Sequence, residues 1–146
     1  MSRRCTDVRV ARLVTLFETL SPSDTAALGD HYAAGARFKD PFNEVQGLAA
    51  VQRIFNHMFV ALDEPRFVVR DIIVQGDQCF LTWDFNFRFK RFSRELQTVR
   101  GGSHLVLDAQ GRITLHRDYW DAAEELYEKL PGVGALMRWL KRRANG

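Results

Sequence analysis

Apolar positions recur with a helical period in the first part of the chain and with a period of two later on. Val10, Leu13, Val14, Phe17 and Leu20 predict an amphipathic helix from about Asp7 to Leu20. Ser21-Pro22-Ser23-Asp24 restarts a helix: Ser21 suits an N-cap, Pro22 the first helical position and Asp24 the positive end of the dipole. This short helix carries Leu28 and Tyr32 and is expected to end near Gly35. Arg37 to Phe42 is too short for a helix and Pro41 biases Asp40 toward extended backbone, so the segment reads as a short strand. Gly47 opens a third helix with Val51, Ile54, Phe55, Met58 and Leu62 on its apolar stripe, stopped by Glu64-Pro65.

From Arg66 the period changes. Arg66 to Val74 is a strand with apolar residues on both faces, expected to be covered on both sides. After a turn at Gln75-Gly76-Asp77, Cys79 to Lys90 alternates, with Cys79, Leu81, Trp83, Phe85, Phe87 and Phe89 on one face. Leu96 to Leu107 follows, with Ser103, Leu105 and Leu107 on one face and a bulge or bend expected at Gly101-Gly102. A turn at 108–111 leads to the last strand, Ile113 to Asp121. Its alternation sets Ile113, Leu115, Arg117 and Tyr119 on one face and Thr114, His116, Asp118 and Trp120 on the other. Ala122 to Leu130 begins a terminal helix. Pro131-Gly132 breaks it, and Gly134 to Arg143 continues with Leu136, Met137, Trp139 and Leu140 against a basic face. Helices followed by a curved antiparallel sheet make an α+β domain, a cone with an apolar interior.

Two stretches carry chemistry. In the last strand, His116 and Asp118 share a face with Trp120, and a strand carboxylate beside an aromatic wall needs a partner or a proton. In the short strand after the second helix, Asp40 lies between Phe38 and Phe42, where apolar neighbours disfavour its charged form. Each has a plainer reading: Asp40 as a turn aspartate bonding local backbone, Asp118 in a salt bridge, His116 as a core histidine. The row Leu81, Trp83, Phe85 and Phe87 can be core and ligand wall at once in a cone.

Composition narrows the field. A length of 146 residues, with 46% hydrophobic and 27% charged, fits one domain spanning 1–146, with a core at about 8–130 and a basic tail at 131–146. No apolar run approaches a membrane span and no signal peptide is expected. Cys5 and Cys79 form no ligand motif and read as free thiols, which points to a cytoplasmic setting. A net charge of +3, gathered at the chain ends, is too small for nucleic-acid binding. His31, His57 and His104 show no ligand spacing, so no metal is expected. The basic amphipathic tail suits weak contact with a membrane surface or a partner, besides simple packing.

The order of helix, short helix, Asp-Pro turn, helix and long strands, over about Val8 to Leu130, resembles the nuclear transport factor 2-like superfamily, which includes the SnoaL-like proteins. Ketosteroid isomerase, polyketide cyclases and limonene epoxide hydrolase are relatives. The resemblance implies a cone-shaped (cystatin-like) sheet wrapped on N-terminal helices, and a homodimer through the outer sheet face. Asp40, in Phe38-Lys39-Asp40-Pro41, takes the place of the isomerase's general base. The isomerase's helix tyrosine falls near Leu13 or Phe17, and its strand acid on Ser103. Arg117-Asp118-Tyr119-Trp120-Asp121 matches the epoxide hydrolase segment that holds a water-positioning aspartate at the place of Asp118. The two other members of that set fall on about Trp83 and Phe85.

The residues and the resemblance together imply a pocket for a small apolar molecule, without cofactor or metal. Asp40, Asp118 and His116 are the candidate catalytic groups. Phe38, Phe42, Phe55, Trp83, Phe85, Phe87, Ser103 and Trp120 are the candidate ligand contacts. Three functions remain open: an isomerase- or cyclase-type enzyme, a non-catalytic binder of a hydrophobic or lipid-like ligand, and a dimeric interaction module.

Overall fold

A computed structural model of the protein describes residues 5–90, 94–125 and 142. Helix α1 (Val8–Glu18) starts where Asp7 accepts the backbone N–H groups of Arg9 and Val10, and it buries Val10, Leu13, Val14 and Phe17. The second helix is a 3-10 segment, Pro22–Asp30, whose Asp24 Oδ2 accepts the Ser21 N–H at 2.8 Å. It ends earlier than the sequence predicts. Tyr32 is not helical but opens strand β1 (Tyr32–Lys39), and Asp40 lies just past that strand rather than inside it. Here the helix-favouring alanines of Tyr32-Ala33-Ala34 are overridden by pairing with the last strand, a tertiary preference outweighing a local one.

A three-residue strand, β2 (Glu44–Gln46), folds back antiparallel on β1 and has no counterpart in the sequence reading. Gly47 follows at φ 102°, a conformation that glycine adopts without strain, and α2 (Leu48–Ala61) begins. Then come β3 (Leu62–Gln75), β4 (Gln78–Phe89), β5 (Gln97–Leu107), β6 (Ile113–Tyr119) and a short helix, α3 (Ala122–Glu125). The rest of the expected helical tail, including the basic face around Trp139, lies outside the described residues. Among the described residues no helix is long and apolar enough to cross a membrane.

The six strands form one sheet in the order β2-β1-β6-β5-β4-β3. All pairs are antiparallel except β1–β6, which is parallel, so the C-terminal ends of β1 and β6 reach the same rim. The sheet wraps α1 and α2, and the core gathers Leu13, Val14, Phe17, Tyr32, Val51, Phe55, Leu81, Leu105 and Ile113 between them.

Four local expectations are corrected. Glu64-Pro65 does not stop α2; Leu62 already belongs to β3, and the pair sits inside that strand where the register shifts, with Glu64 at φ 52°. Proline is tolerated there because β3 is a sheet edge. Nor is β3 covered on both faces: Val69, paired with Trp83 on the inner face, is buried, but Ile73, paired with Phe80 on the outer face, is 62% exposed. Gly101 and Gly102 mark no bulge, because the β4–β5 register runs through both. They answer to close approach instead: a Cβ on Gly101 would lie 2.6 Å from the Trp83 ring, and one on Gly102 2.6 Å from the Phe80 ring. Finally, Ile113 does not share the outer face with Leu115. Leu107 pairs with Ile113 and Val106 with Leu115, so Thr114 is an extra residue, and Ile113 is fully buried.

Candidate functional site

The concave side of the sheet and the inner faces of α1 and α2 enclose a cavity of about 420 Å³, within the range of small-molecule sites. All eleven candidate residues line it. From the sheet come Phe38 on β1, Trp83, Phe85 and Phe87 on β4, Ser103 on β5, and His116 and Asp118 on β6. Phe55 comes from α2, Asp40 and Phe42 from the turn after β1, and Trp120 from the residue after β6. Phe17, Asn43, Ile54, His57, Met58 and Phe67 line it as well and were not singled out by sequence. The exposed side chains of Phe42 and His57 mark the rim. The Phe42 and Trp120 rings meet edge to face at 5.5 Å there.

A chain of hydrogen bonds runs across the floor. Ser103 and Asp118 are direct cross-strand partners. The Trp83 indole N–H donates to Ser103 Oγ at 2.8 Å, and the Ser103 hydroxyl donates to Asp118 Oδ1 at 2.5 Å. His116 Nε2 lies 2.7 Å from the same Oδ1, and His116 Nδ1 lies 2.7 Å from the Tyr32 hydroxyl. Each side chain in the chain except Asp118 is buried.

Proton positions follow from what each group can do. Indole nitrogen only donates, so Ser103 Oγ accepts and turns its own proton to Asp118. Tyr32 is 1% exposed, and burial, followed by the charge on Asp118, pushes its hydroxyl well above the ordinary tyrosine range. It stays a phenol, and His116 Nδ1 is its one hydrogen-bond partner among the described residues. Tyr32 donating to Nδ1 is the arrangement that satisfies its hydroxyl proton, and it places a proton on Nε2, aimed at Asp118. Phe38, at 4.8 Å between ring centroids, and Phe17, at 5.7 Å, hold the imidazole edge to face. Asp118 Oδ1 thus receives two hydrogen bonds, while no described residue bonds Oδ2, in a side chain that keeps 15% exposure. The carboxylate is held by one oxygen and leaves the other for whatever enters the cavity.

Asp40 is arranged differently. Its Oδ1 accepts the backbone N–H groups of Phe42, at 2.8 Å, and Asn43, at 2.6 Å. The Asn43 side-chain amide reaches both of its oxygens, at 3.1 and 3.2 Å. The turn-aspartate geometry is what the structure contains, with the carboxylate at the cavity edge.

Tyr32 is the site residue that the sequence reading misplaced. Its signal was present but faint: Phe38 and Ala36 alternate inward along the same strand, and a bulge between Tyr32 and Arg37 hides the continuation. Among the described residues no cluster of three or more His, Cys, Asp or Glu could hold a metal ion.

With this geometry established, the relatives can be placed. The SnoaL-like domain family matches residues 13–116, and the chain belongs to that family. The match ends at His116, so Asp118 and Trp120 lie just beyond it. No curated protein matches the sequence. A protein of ketosteroid isomerase-like fold from Catenulispora acidiphila, solved in complex with trimethylamine, is similar at a TM-score of 0.70 and 16% identity, over 84% of this chain and 92% of that one. A protein assigned to the SnoaL-like polyketide cyclases from Jannaschia gives 0.70 and 16% over 85% and 92%. TerC, co-crystallised with polyporic acid, gives 0.65 and 14% over 80% and 91%. At these identities the likeness is one of fold.

Proposed function

We propose that the protein takes up an apolar small molecule in the cavity and performs proton transfer on it through Asp118, as isomerase- and cyclase-type enzymes do. One observation carries this reading: Asp118 Oδ2 has no bond from a described residue, at the floor of an aromatic cavity, on a carboxylate whose other oxygen is fixed by Ser103 and His116. Fixing one oxygen orients the other without satisfying it, which is what a proton acceptor needs before substrate arrives. His116, locked by Tyr32, serves as the orienting partner. Trp83 positions Ser103, and Phe38, Phe55, Phe85, Phe87 and Trp120 supply the wall. Asp40 shapes the rim and is left out of the proton transfer, because its oxygens already serve the turn. The structures holding trimethylamine and polyporic acid support a fold that admits chemically different small molecules, with the choice left to side chains.

The test begins with mass spectrometry of small molecules extracted from the native protein. The recovered compound is then offered to the protein and to Asp118→Asn. Turnover that disappears in the variant even at saturating concentrations of the compound, with the melting temperature kept, supports proton transfer. Binding without turnover in the wild type makes the protein a carrier, the second reading that the largely apolar lining favours.

We also assign homodimerisation to the outer sheet face. Ile73 is 62% exposed there and pairs in register with Phe80, and Tyr119, 44% exposed, lies on the same face. Light scattering that gives a monomer at micromolar concentration would refute it.

A further inference from the structure

The charge balance of the cavity narrows the ligand. None of its described lining residues is a lysine or arginine. Its imidazoles are His57, at the exposed rim, and His116, which is engaged by Tyr32 and Asp118. Among the described lining residues Asp118 therefore has no lysine or arginine partner. Its hydrogen bonds with Ser103 and His116 both fall on Oδ1, which leaves Oδ2 for the ligand. A carboxylate so placed asks for a proton or a cation from the ligand. The surroundings select between them. Trp83 reaches Asp118 through Ser103, Trp120 is two residues away along the chain, and Phe42 packs on Trp120. Aromatic faces around an anion attract a weakly hydrated, alkylated ammonium, whose charge they stabilise while its alkyl groups bury apolar area.

We infer that the ligand of this cavity carries a positively charged, alkylated nitrogen, which pairs with Asp118 Oδ2 within the rings of Phe42, Trp83 and Trp120. The inference rests on the proposed function in taking the cavity as the ligand site. It adds the sign of the ligand's charge. Charge pairing and proton transfer are compatible, since a carboxylate against a cationic nitrogen also lies within reach of the C–H bonds on its neighbouring carbons.

A matched series decides it: phenethyltrimethylammonium, its neutral carbon isostere (3,3-dimethylbutyl)benzene, the ketone 4-phenylbutan-2-one and the anion 3-phenylpropanoate. Binding to the full chain is read by tryptophan fluorescence and by calorimetry. The ammonium should bind about tenfold or more tighter than the isostere, the gap that one such contact supplies, and the anion weakest. In Asp118→Asn the ammonium preference should vanish while the isostere keeps its affinity. The wild-type series alone can refute the inference, so folding of the variant is not required. An isostere or ketone that binds as tightly as the ammonium overturns the cation and leaves the proposed pocket standing. If no member of the series binds, the pocket reading falls as well.

Discussion

Asp40 stands one residue beyond β1 and Asp118 one residue before the end of β6, on neighbouring parallel strands whose last paired residues are Lys39 and Arg117. Both carboxylates line the cavity. Their surroundings divide them. Asp40 closes a turn with N–H donors from Phe42 and Asn43, so its bonds are local in sequence. Asp118 is bonded by Ser103, 15 residues away, and by His116, which is tied in turn to Tyr32, 84 residues further back. A carboxylate whose acceptor sites are filled by its own turn is a structural element. One held across strands keeps an oxygen that no described residue bonds, which is the geometry the proposed function uses.

The widest separation is expected in function. Asp118→Asn should lower turnover by about 10²–10⁴-fold, the range for loss of a positioned acid or base. Asp40→Ala should change turnover by only a few-fold and lower stability by about 1 kcal/mol through its lost hydrogen bonds. Equal losses of turnover would dissolve the distinction. Next in size is Gly101→Ala. Its methyl would meet the Trp83 ring at 2.6 Å and should cost about 1–3 kcal/mol by overpacking, read as a lower melting temperature with a shift in tryptophan emission. The turn at Asp40 should not notice it. Tyr32→Phe removes the donor to His116 Nδ1 and should cost about 1–3 kcal/mol; an unchanged denaturation midpoint would show that the chain does not extend to Tyr32.

The smallest effect belongs to a third carboxylate of the local kind. Asp7 is held below its ordinary value of 3.8, first by its hydrogen bond with Arg9. A lowered folded-state value means that the ionised form favours folding. Its contribution is full above about pH 3.8 and fades as the pH falls through the lowered value. Asp7→Asn should keep the cap and flatten that part of the acid unfolding profile, whereas Asp7→Ala should lose about 1 kcal/mol at neutral pH.

Alternation was readable wherever a strand is regular. Leu81, Trp83 and Phe87 on β4 and Ser103, Leu105 and Leu107 on β5 face inward as their spacing says. Reading failed where an extra residue breaks the period, at Thr114, at Glu64-Pro65 and between Tyr32 and Arg37. A bulge depends on the partner strand, and the partner is not written locally. The lining of the cavity was accessible because apolar side chains of one face must share an interior. The hydrogen-bond chain was not, because it joins Tyr32, Trp83, Ser103 and His116 from four strands whose register only the folded sheet supplies. Gly101-Gly102 marks no bulge, and its glycines make room for rings on either face.

The extra residue at Thr114 makes site orientation a matter of counting. With it, Ile113 and His116 both point inward although three positions separate them along one strand. Removing it would force a choice of parity: either Ile113 leaves the core, or His116 and Asp118 swing to the outer surface and Arg117 enters. Chain length at this point, more than the identity of any side chain there, decides whether His116 and Asp118 face the cavity or the outer surface.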